Sequence, residues 1–481
     1  MGLITPTEPV PLSELGRVHF IGIGGAGMSG IARIMLARGT EVSGSDSASS
    51  AALDELAALG AVVHTGHAAG QLADADTVVV SSAIRESNPE LAEARRRGLR
   101  VLHRAAALAS LMSGRRVIAV TGTHGKTTTT SMITTVLLET GAGPAYAIGG
   151  VLAAAGAGAA DGAGEYFVAE ADESDGSFLM YAPDVAVVTN VEADHLDNYG
   201  TEQAYRESFR AFLGKVTPGG LLVTSADDPG AAALIGRAGE LGLRVITFGT
   251  SPEAGYRVTN VTASGMETTF LVTTGPEAAG TTVRLGVPGQ HNALNAAAAF
   301  AVAAELGIEP ARAAGALASY RGAARRLEPK GEAGGVRVLD SYAHHPTELA
   351  ADLRAAREVV GVAGPGGGRV IAVFQPHLYS RTRIFADAFG AALGLADEAV
   401  VLDVYAARED PEPGVTGRLV ADAVPGGAHY VPGFADVPKA VAALAAPGDL
   451  VLTMGAGDIT RMGPLLLAEI AGLGQAGPGA G

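Results

Sequence analysis

The chain contains 481 residues, 48% of them hydrophobic and 17% charged, which is enough for about three domains with cores of their own. The net charge of −16 argues against nucleic acid or an anionic membrane surface as the main partner. A phosphorylated ligand needs only a local basic pocket and is not excluded. There is no cysteine, so disulfides and thiolate metal or redox sites are ruled out. Residues 1–15 show no secretory signal, and we expect a cytoplasmic enzyme.

The first segment, residues 1–113, alternates short strands with helices, which predicts a parallel, doubly wound sheet. Strand 17–23 leads into a glycine-rich turn and then into a helix that ends near Arg38. The elements predicted after it are strand 41–44, helix 51–59, strand 61–64, strand 77–82, helix 88–97 and strand 99–102.

The turn after the first strand fits the dinucleotide pattern G-x-G-x-x-G, from Gly22 to Gly27. Asp46 follows the next strand, where an acid that binds a ribose belongs. Taken alone, these features favour NAD and an oxidoreductase. A nucleoside-diphosphate sugar fits equally well, because the pattern reports only a pyrophosphate at a helix N-terminus. A tight turn without a ligand is the structural alternative. Ser81 and Ser82, at the end of strand 77–82, are expected to face the same crevice.

The second segment, residues 114–325, opens with a phosphate-binding pattern, RRVIAVTGTHGKTTTT. A buried strand from Arg115 to Val120 precedes a small-residue turn, and Lys126 begins a helix that runs to about Glu139 and stops at Gly141. In such a turn the backbone N–H groups and the lysine bind phosphates, and a threonine hydroxyl ligates Mg²⁺. The common pattern has glycine where Val120 stands, so this spelling is a variant.

Acidic residues follow the next strands of this segment. Glu170 ends an apolar strand beside the phosphate loop, which favours a Mg²⁺ ligand. For Glu173 and Asp175, a solvated acidic turn is a serious alternative to a metal site. In TNVEADHLDNYG (189–200), His195 is as consistent with a metal or phosphate contact as with a solvated loop histidine.

Further elements of the second segment are predicted as strands 166–170, 185–190, 221–224 and 244–248, helices 201–213 and 229–240, antiparallel hairpins over 256–287, and helices 291–306 and 310–319. The start of helix 291–306 carries His291, Asn292 and Asn295 on one side. These side chains either read a purine edge or cap the helix.

The third segment, residues 326–481, again alternates strands and helices. The predicted elements are strand 336–340, helix 346–360, strand 369–374, helix 383–393, strand 398–402, helix 416–423, strand 428–431, helix 435–445 and strand 449–453. Polar loops follow four of these strands, so we expect one crevice at their carboxyl ends. Its candidate ligand contacts are Asp340, Tyr342, His344, His377, Arg381 and Arg383. His344 and His345 are adjacent and point apart, so a zinc pair is not expected.

Taken together in chain order, these motifs resemble those of the Mur ligase family of peptidoglycan synthesis. The matching stretches are GIGGAGMSGIA, VSGSD, SSAI, TGTHGKTTT, EADESDGSF, TNVEADHLD, GQHNALNAAAA, RRLE, DSYAHHPTE, FQPHLYSRT, DVYAARE and MGAGDI. The resemblance implies three α/β domains: a Rossmann-like UDP-sugar-binding domain (1–113), a P-loop ATPase-like domain (114–325) and a Rossmann-like C-terminal domain (326–481).

The motifs are most similar to those of the family members that use ATP and Mg²⁺ to join L-alanine to UDP-N-acetylmuramate. That reaction phosphorylates the muramic carboxylate, and the alanine amine then displaces phosphate from the acyl phosphate. The nearest alternative within the family is the ligase that recycles murein tripeptide. Folylpolyglutamate synthase shares the later domains but lacks a UDP-binding first domain, so residues 1–113 argue against it. We expect a monomer or a weak homodimer.

The resemblance also implies roles for single residues. The catalytic set is Lys126, His195, Arg326, His344 and Arg381. The ATP contacts are Gly122, Thr123, His124, Gly125, Lys126, Thr127, Thr128, His291, Asn292, Asn295, Arg326 and Asp340. The UDP-sugar contacts are Gly22, Gly24, Gly25, Ala26, Gly27, Asp46 and Ser82. The amino-acid contacts are Tyr342, His344, His377 and Arg381, and the metal ligands are Thr127, Glu170 and His195. The chain departs from the family pattern at Ser341, Leu327, Leu378 and Arg408.

Overall fold

The computed structural model describes residues 3–275, 279–361, 368–407 and 409–475. The chain divides into two compact units. The first unit comprises Met1–Val258, Val272–Thr281 and Asn295–Leu317. The second unit comprises Thr259–Leu271, Thr282–Leu294 and Ala318–Gly481. Among the described helices, none combines the length and the apolar character that a membrane span needs. The stretch 361–369, GVAGPGGGR, predicts a flexible surface turn. Its residues 362–367 and Arg408 lie outside the described residues.

The first sheet is entirely parallel, as the alternating pattern predicts. Its strands are β1 (Val18–Ile21), β2 (Val42–Asp46), β3 (Val62–Thr65), β4 (Thr77–Val80) and β5 (Arg100–His103), in the order β3-β2-β1-β4-β5. Its helices are α1 (Ala26–Ala37), α2 (Ala51–Ala58), α3 (Pro89–Arg96) and α4 (Arg104–Met112). Helix α4 was not predicted from the sequence. Every residue of α4 after Arg104 is buried, so the helix has no polar face that would reveal its period.

The second sheet carries the phosphate loop. The elements up to its last parallel strand are β6 (Arg116–Thr121), α5 (Lys126–Glu139), β7 (Ala145–Leu152), β8 (Ala157–Ala160), β9 (Tyr166–Glu170), β10 (Val185–Val188), α6 (Leu196–Tyr199), α7 (Glu202–Leu213), β11 (Leu221–Ser225), α8 (Pro229–Ala232), α9 (Leu234–Glu240) and β12 (Arg244–Gly249). Its strand order is β12-β11-β10-β6-β9-β7-β8, and β6 lies between β10 and β9. These strands are parallel except for the pair β7–β8. The carboxyl ends of β9 and β10 therefore flank the phosphate loop.

The segment that follows contains β13 (Tyr256–Ser264), β14 (Glu267–Thr273), β15 (Thr281–Leu285), α10 (Gln290–Glu305) and α11 (Pro310–Ala318). The three strands are neighbours in the order β13-β14-β15 and carry residues of both units. The strands expected over 256–287 and the two helices after them are thus present.

The pair β7–β8 is an unpredicted feature of this sheet. The stretch 141–160 consists largely of glycine and alanine, and Ile148 and Val151 are its only β-branched residues, so the usual signature of a strand is weak. Its small side chains instead allow close packing on α1, where a Cβ added to Gly30 would lie 2.9 Å from the Ala159 Cβ. Arg38 and Asp161 form an ion pair of 2.7 Å beside this contact. The first two sheets thereby share one continuous hydrophobic core within the first unit.

The third sheet belongs to the second unit. Its elements are β16 (Glu328–Ala333), β17 (Val336–Ser341), α12 (Pro346–Val360), β18 (Val370–Phe374), α13 (Tyr379–Leu393), β19 (Glu398–Val401), α14 (Arg418–Asp422), β20 (His429–Tyr430), α15 (Val437–Leu444), β21 (Leu450–Met454) and α16 (Met462–Gln475). The strand order is β16-β17-β21-β18-β19-β20. The four strands that precede the polar loops, β17, β21, β18 and β19, are adjacent and parallel.

Two elements of this unit were missed. Strand β16 pairs antiparallel with β17 although its sequence, EPKGEA, is polar and contains proline and glycine. Helix α16 was not predicted, and the glycine-rich composition of the tail 472–481 instead predicts disorder. That prediction is wrong for residues 472–475, which belong to α16, and 476–481 lie outside the described residues.

Candidate active site

The phosphate loop between β6 and α5 is tightly enclosed. Gly122 and Gly125 have φ angles of 130° and 81°. A Cβ on Gly122 would lie 2.1 Å from the Thr189 hydroxyl oxygen, and one on Gly125 would lie 2.6 Å from Asn295 Oδ1. Both the backbone conformation and the space therefore require glycine at these positions.

The segment after β10 holds this loop in place. The Asn190 side chain accepts a hydrogen bond from the His124 N–H at 2.8 Å and donates one to the His124 carbonyl at 3.1 Å. The Thr189 hydroxyl donates to the same carbonyl at 2.6 Å. The Thr123 N–H donates to the Asn190 carbonyl at 3.0 Å. The loop is thus held in its phosphate-binding shape by bonds within the protein.

The Lys126 side chain folds back onto the phosphate loop. Its Nζ donates to the carbonyls of Gly122 (2.6 Å) and Thr123 (3.0 Å) and to Glu173 Oε1 (3.0 Å). Burial alone would lower the pKa of Lys126, but the Glu173 and Asp172 carboxylates outweigh it and raise that pKa. The lysine is therefore a cation at neutral pH.

Glu173 is the buried partner of Lys126, and it was not among the predicted site residues. It is fully buried, and Asp175 is 8% exposed, so the alternative of a solvated acidic turn is wrong for both residues. Besides Lys126, Glu173 Oε1 accepts from the Tyr205 hydroxyl at 3.2 Å and lies 3.7 Å from His195 Nε2. Burial raises the pKa of Glu173 against the opposing effect of Lys126. The available sequence signal is Lys126 itself, because a lysine that is buried in the loop needs a carboxylate buried beside it.

The predicted metal ligands form two groups, one around Glu170 and one around Glu173. The Thr127 hydroxyl donates to Glu170 Oε1 at 3.1 Å, so these two are brought together as predicted. Glu170 Oε2 also accepts from the Gly149 N–H at 2.7 Å. His195, which directly precedes α6 and has a φ of 52°, instead lies beside Glu173 and Asp194. Hydroxyl and carboxylate oxygens are the donors that Mg²⁺ prefers.

The acidic segment 170–175 also reaches the first sheet. Asp172 Oδ2 accepts from Arg104 at 2.9 Å, and Asp175 Oδ2 accepts from the Ser82 hydroxyl at 2.8 Å. Burial opposes ionisation of Asp172, but the Arg104 and Lys126 cations outweigh it and hold the pKa of Asp172 well below its usual range. One short segment thus connects the phosphate loop with the carboxyl ends of the first sheet.

The glycine turn after β1 is braced by Asp46, which accepts from the Gly24 N–H at 2.9 Å. A Cβ on Gly24 would lie 2.7 Å from Leu53 Cδ1, so a larger residue would displace the turn. Gly25 then caps α1, which begins at Ala26. Asp46 is therefore beside the predicted UDP-sugar turn, and one of its oxygens serves to shape it.

In the second unit, the predicted amino-acid contacts come together around aromatic rings. The Tyr342 and His344 rings lie 5.1 Å apart, and those of His344 and His377 lie 6.2 Å apart. Tyr405, which the sequence analysis did not single out, stacks on His377 at 5.9 Å. Arg381 is buried on α13.

The arginine pair lies over the same Tyr342 ring, at 4.9 Å for Arg325 and 5.2 Å for Arg326. Asp340 is fully buried, and its carboxylate accepts from Arg325 Nε (3.2 Å) and from the Thr453 and Thr460 hydroxyls (both 2.8 Å). Asp340 thus fixes Arg325 in the structure, and its predicted ATP contact stays a prediction.

The three polar residues at the start of α10 have different partners. Asn292 donates to the Pro288 carbonyl at 2.7 Å, which closes the turn before the helix. His291 Nε2 lies 3.6 Å from Asp352 Oδ1 in the second unit. Asn295 belongs to the first unit, where it accepts from the Thr129 hydroxyl at 3.2 Å beside the phosphate loop.

Known proteins resemble this chain over nearly its whole length. Three models match successive parts: the Mur ligase family catalytic domain (residues 17–116), the Mur ligase middle domain (120–303) and the Mur ligase glutamate ligase domain (325–457). UDP-N-acetylmuramate–L-alanine ligase of Thermobifida fusca (strain YX) is 57% identical over 474 residues, which are 98% of this chain and 100% of that protein. The enzyme of the same name from Nocardioides sp. is 56% identical over 475 residues, again 98% and 100%.

Solved structures also resemble this chain. The crystal structure of UDP-N-acetylmuramate–alanine ligase from Thermotoga maritima has a TM-score of 0.79 and 30% identity, covering 95% of this chain and 99% of that one. A murein peptide ligase from Psychrobacter arcticus has a TM-score of 0.69 at 24% identity with the same coverage, which is a likeness of fold. With three domain models matched in order and relatives above half identity, the chain belongs to the Mur ligase family.

Proposed function

We propose that this chain joins L-alanine to the carboxylate of UDP-N-acetylmuramate, with ATP as the energy source, in peptidoglycan precursor synthesis. It is an ATP-dependent acid–amino-acid ligase. The observation that carries this function is the identity of 57% over 98% of the chain to a UDP-N-acetylmuramate–L-alanine ligase. An NAD-dependent oxidoreductase, which the glycine turn alone left open, is thereby set aside. We propose that the reaction takes place in the cytoplasm, and that the chain is a monomer or a weak homodimer.

In the first unit, the phosphate loop binds the ATP phosphates through backbone N–H groups, and Lys126 neutralises their charge. Thr127 and the carboxylates of Glu170 and Glu173 are the hard donors that would hold Mg²⁺, with His195 at 3.7 Å from Glu173. Bound there, Mg²⁺ would neutralise negative charge on the transferred phosphoryl group. Asn295 lies beside the phosphate loop, and this position supports the assignment of Asn295 to the ATP site. We assign the UDP-sugar to the turn that Asp46 braces, with Ser82 as a further proposed contact.

In the second unit, Tyr342, His344 and His377 form the pocket that we assign to L-alanine, and Tyr405 extends it. Arg381 supplies a guanidinium for the alanine carboxylate. His291 and Asn292 remain the proposed nucleotide contacts of this unit, and Arg326 the proposed γ-phosphate contact.

The test is a substrate panel. Protein, ATP, Mg²⁺ and UDP-N-acetylmuramate are mixed with L-alanine, glycine, L-serine or the murein tripeptide, and phosphate release and product mass are measured. We expect the greatest kcat/KM with L-alanine. Equal or better turnover with the tripeptide would favour the recycling ligase and contradict the proposal. Binding of NADH without binding of UDP-N-acetylmuramate would overturn the ligase assignment altogether.

A further inference from the structure

Asp352, on α12 of the second unit, is a titratable group that the proposed reaction does not use. Its side chain is 14% exposed, and its Oδ2 accepts a hydrogen bond from the Ser341 hydroxyl at the end of β17. The two residues are eleven positions apart. A carboxyl group buried beside a hydroxyl is stable only when the two are bonded, because each would otherwise lose its hydration without replacement.

The Ser341 hydroxyl has a second partner. It accepts from the Ala343 N–H at 3.0 Å while it donates to Asp352. The bond to Ala343 spans Tyr342, and His344 follows directly and bonds through Nδ1 with the Tyr342 carbonyl at 3.0 Å. Asp352 therefore fixes, through one hydroxyl, the backbone that presents two of the proposed amino-acid contacts.

On its other side, Asp352 faces His291 at 3.6 Å. Gly289, with a φ of 102°, makes this approach feasible: a Cβ there would lie 2.7 Å from His291 Cε1 and 2.9 Å from the Ala355 Cβ on α12. Burial raises the pKa of Asp352 to about 7 and lowers the pKa of His291 to about 4. The other charged groups that act on Asp352 are Glu348, on the same helix, and Arg326.

We propose that Asp352 is a positioning residue of the amino-acid site, which holds the segment Ser341–His344 in its binding conformation through the Ser341 hydroxyl and sets it against His291. This inference rests on the proposed function, because that function assigns L-alanine to Tyr342 and His344. Asp352 itself touches no substrate in this proposal. Its effect is exerted on the binding of the amino acid and not on the UDP-sugar, whose proposed contacts lie in the first unit.

The test exchanges the carboxyl group of Asp352 and the hydroxyl group of Ser341 between the two positions. Asp352→Ser, Ser341→Asp and the double variant Ser341→Asp/Asp352→Ser are compared with wild type for kcat and for the KM of each substrate. Loss of a hydrogen bond to a carboxyl group predicts a rise of about tenfold or more in the KM of L-alanine for Asp352→Ser. Ser341→Asp brings two carboxyl groups together and is expected to do the same. The double variant restores a carboxyl–hydroxyl pair and is expected to recover most of the loss, with the KM of UDP-N-acetylmuramate unchanged throughout.

Thermal unfolding of each variant separates misfolding from mispositioning. If Asp352→Ser does not fold, Asp352→Asn serves instead: it keeps an oxygen acceptor for Ser341 and is expected to retain a KM for L-alanine near that of wild type. The proposal is overturned if folded Asp352→Ser has an unchanged KM for L-alanine, if the double variant is no better than the worse single variant, or if Asp352→Asn raises that KM as much as the serine does. Wild-type protein without alanine-dependent phosphate release would instead contradict the proposed function.

Discussion

Lys126 and Glu173 form a buried ion pair, with Lys126 Nζ 2.9 Å from Glu173 Oε2 and 3.0 Å from Glu173 Oε1. Lys126 opens the phosphate-loop helix, whereas Glu173 follows the neighbouring strand β9. The same glutamate lies 3.7 Å from His195, which follows β10. Three neighbouring strand ends of the second sheet thus meet at one carboxylate, and this carboxylate is the counter-charge of the lysine.

Lys126→Ala is expected to abolish alanine-dependent phosphate release, with a loss of at least about a thousandfold, because the cation that neutralises the transferred phosphoryl group is removed. Binding of UDP-N-acetylmuramate should survive, since its proposed contacts are on the first sheet. Stopped-flow turnover and calorimetric titration would measure the two quantities. Lys215→Ala, which changes an exposed lysine after α7, is the matched control and should leave both unchanged. Loss of UDP-sugar binding in Lys126→Ala would show that the two sites do not function separately.

Gly122→Ala is expected to destabilise the phosphate loop and to abolish ATP binding. The added Cβ would lie 2.1 Å from the Thr189 hydroxyl oxygen in a backbone conformation with φ of 130°. We expect the free energy of unfolding to fall by about 2 kcal/mol or more. Gly141→Ala is the control for the backbone effect alone, because Gly141 has a φ of 81° and nothing within 4 Å of an added Cβ. Urea unfolding of both variants compares them, and equal losses would mean that the steric contact is unimportant.

Asp46→Ala is expected to weaken the binding of UDP-N-acetylmuramate about tenfold, because the Gly24 N–H in the glycine turn loses its hydrogen-bond acceptor. ATP binding should be unaffected. The measurement is calorimetric titration with the UDP-sugar in the absence of ATP. Asp54→Ala, at an exposed position of α2, controls for the loss of one negative charge from the same domain. An unchanged affinity in Asp46→Ala would contradict a role for this turn in substrate binding.

The stability of the second unit is expected to depend on pH through Asp352. The pKa of this carboxyl is about 7 in the folded chain and 3.8 as the ordinary value, so the folded state holds the proton more tightly. The free energy of unfolding therefore falls as pH rises from about 4 to about 7, by at most roughly 4 kcal/mol. Asp352→Asn should remove this decline.

The measurement is the difference in urea stability between wild type and Asp352→Asn across that pH range. Taking the difference matters, because His291 acts in the opposite direction: its pKa is lowered to about 4, so its contribution to stability is lost as pH falls below its ordinary value. Asp422→Asn, an exposed aspartate on α14, is the control. A difference that stays constant with pH would show that Asp352 titrates as an ordinary carboxyl.

Much of the fold could be predicted because its elements alternate in chemistry. The buried parallel strands are short apolar runs between glycine-rich or acidic turns, and the phosphate loop carries glycines where φ is positive. The missed elements lack such contrast. Helix α4 is buried all round except at Arg104, the pair β7–β8 is rich in glycine and alanine, and β16 is a polar strand at the edge of its sheet.

The sequence by itself determined the family, the phosphate loop and the strand ends that carry polar residues, because each of these depends on residues close together in the chain. Only the tertiary structure decided the pairings. Glu173, 47 positions along the chain, balances Lys126, and Asp352, eleven positions along the chain, holds Ser341. The physical reason is that a charge is balanced by whatever group the fold places within a few ångströms, and spacing along the chain does not record that distance.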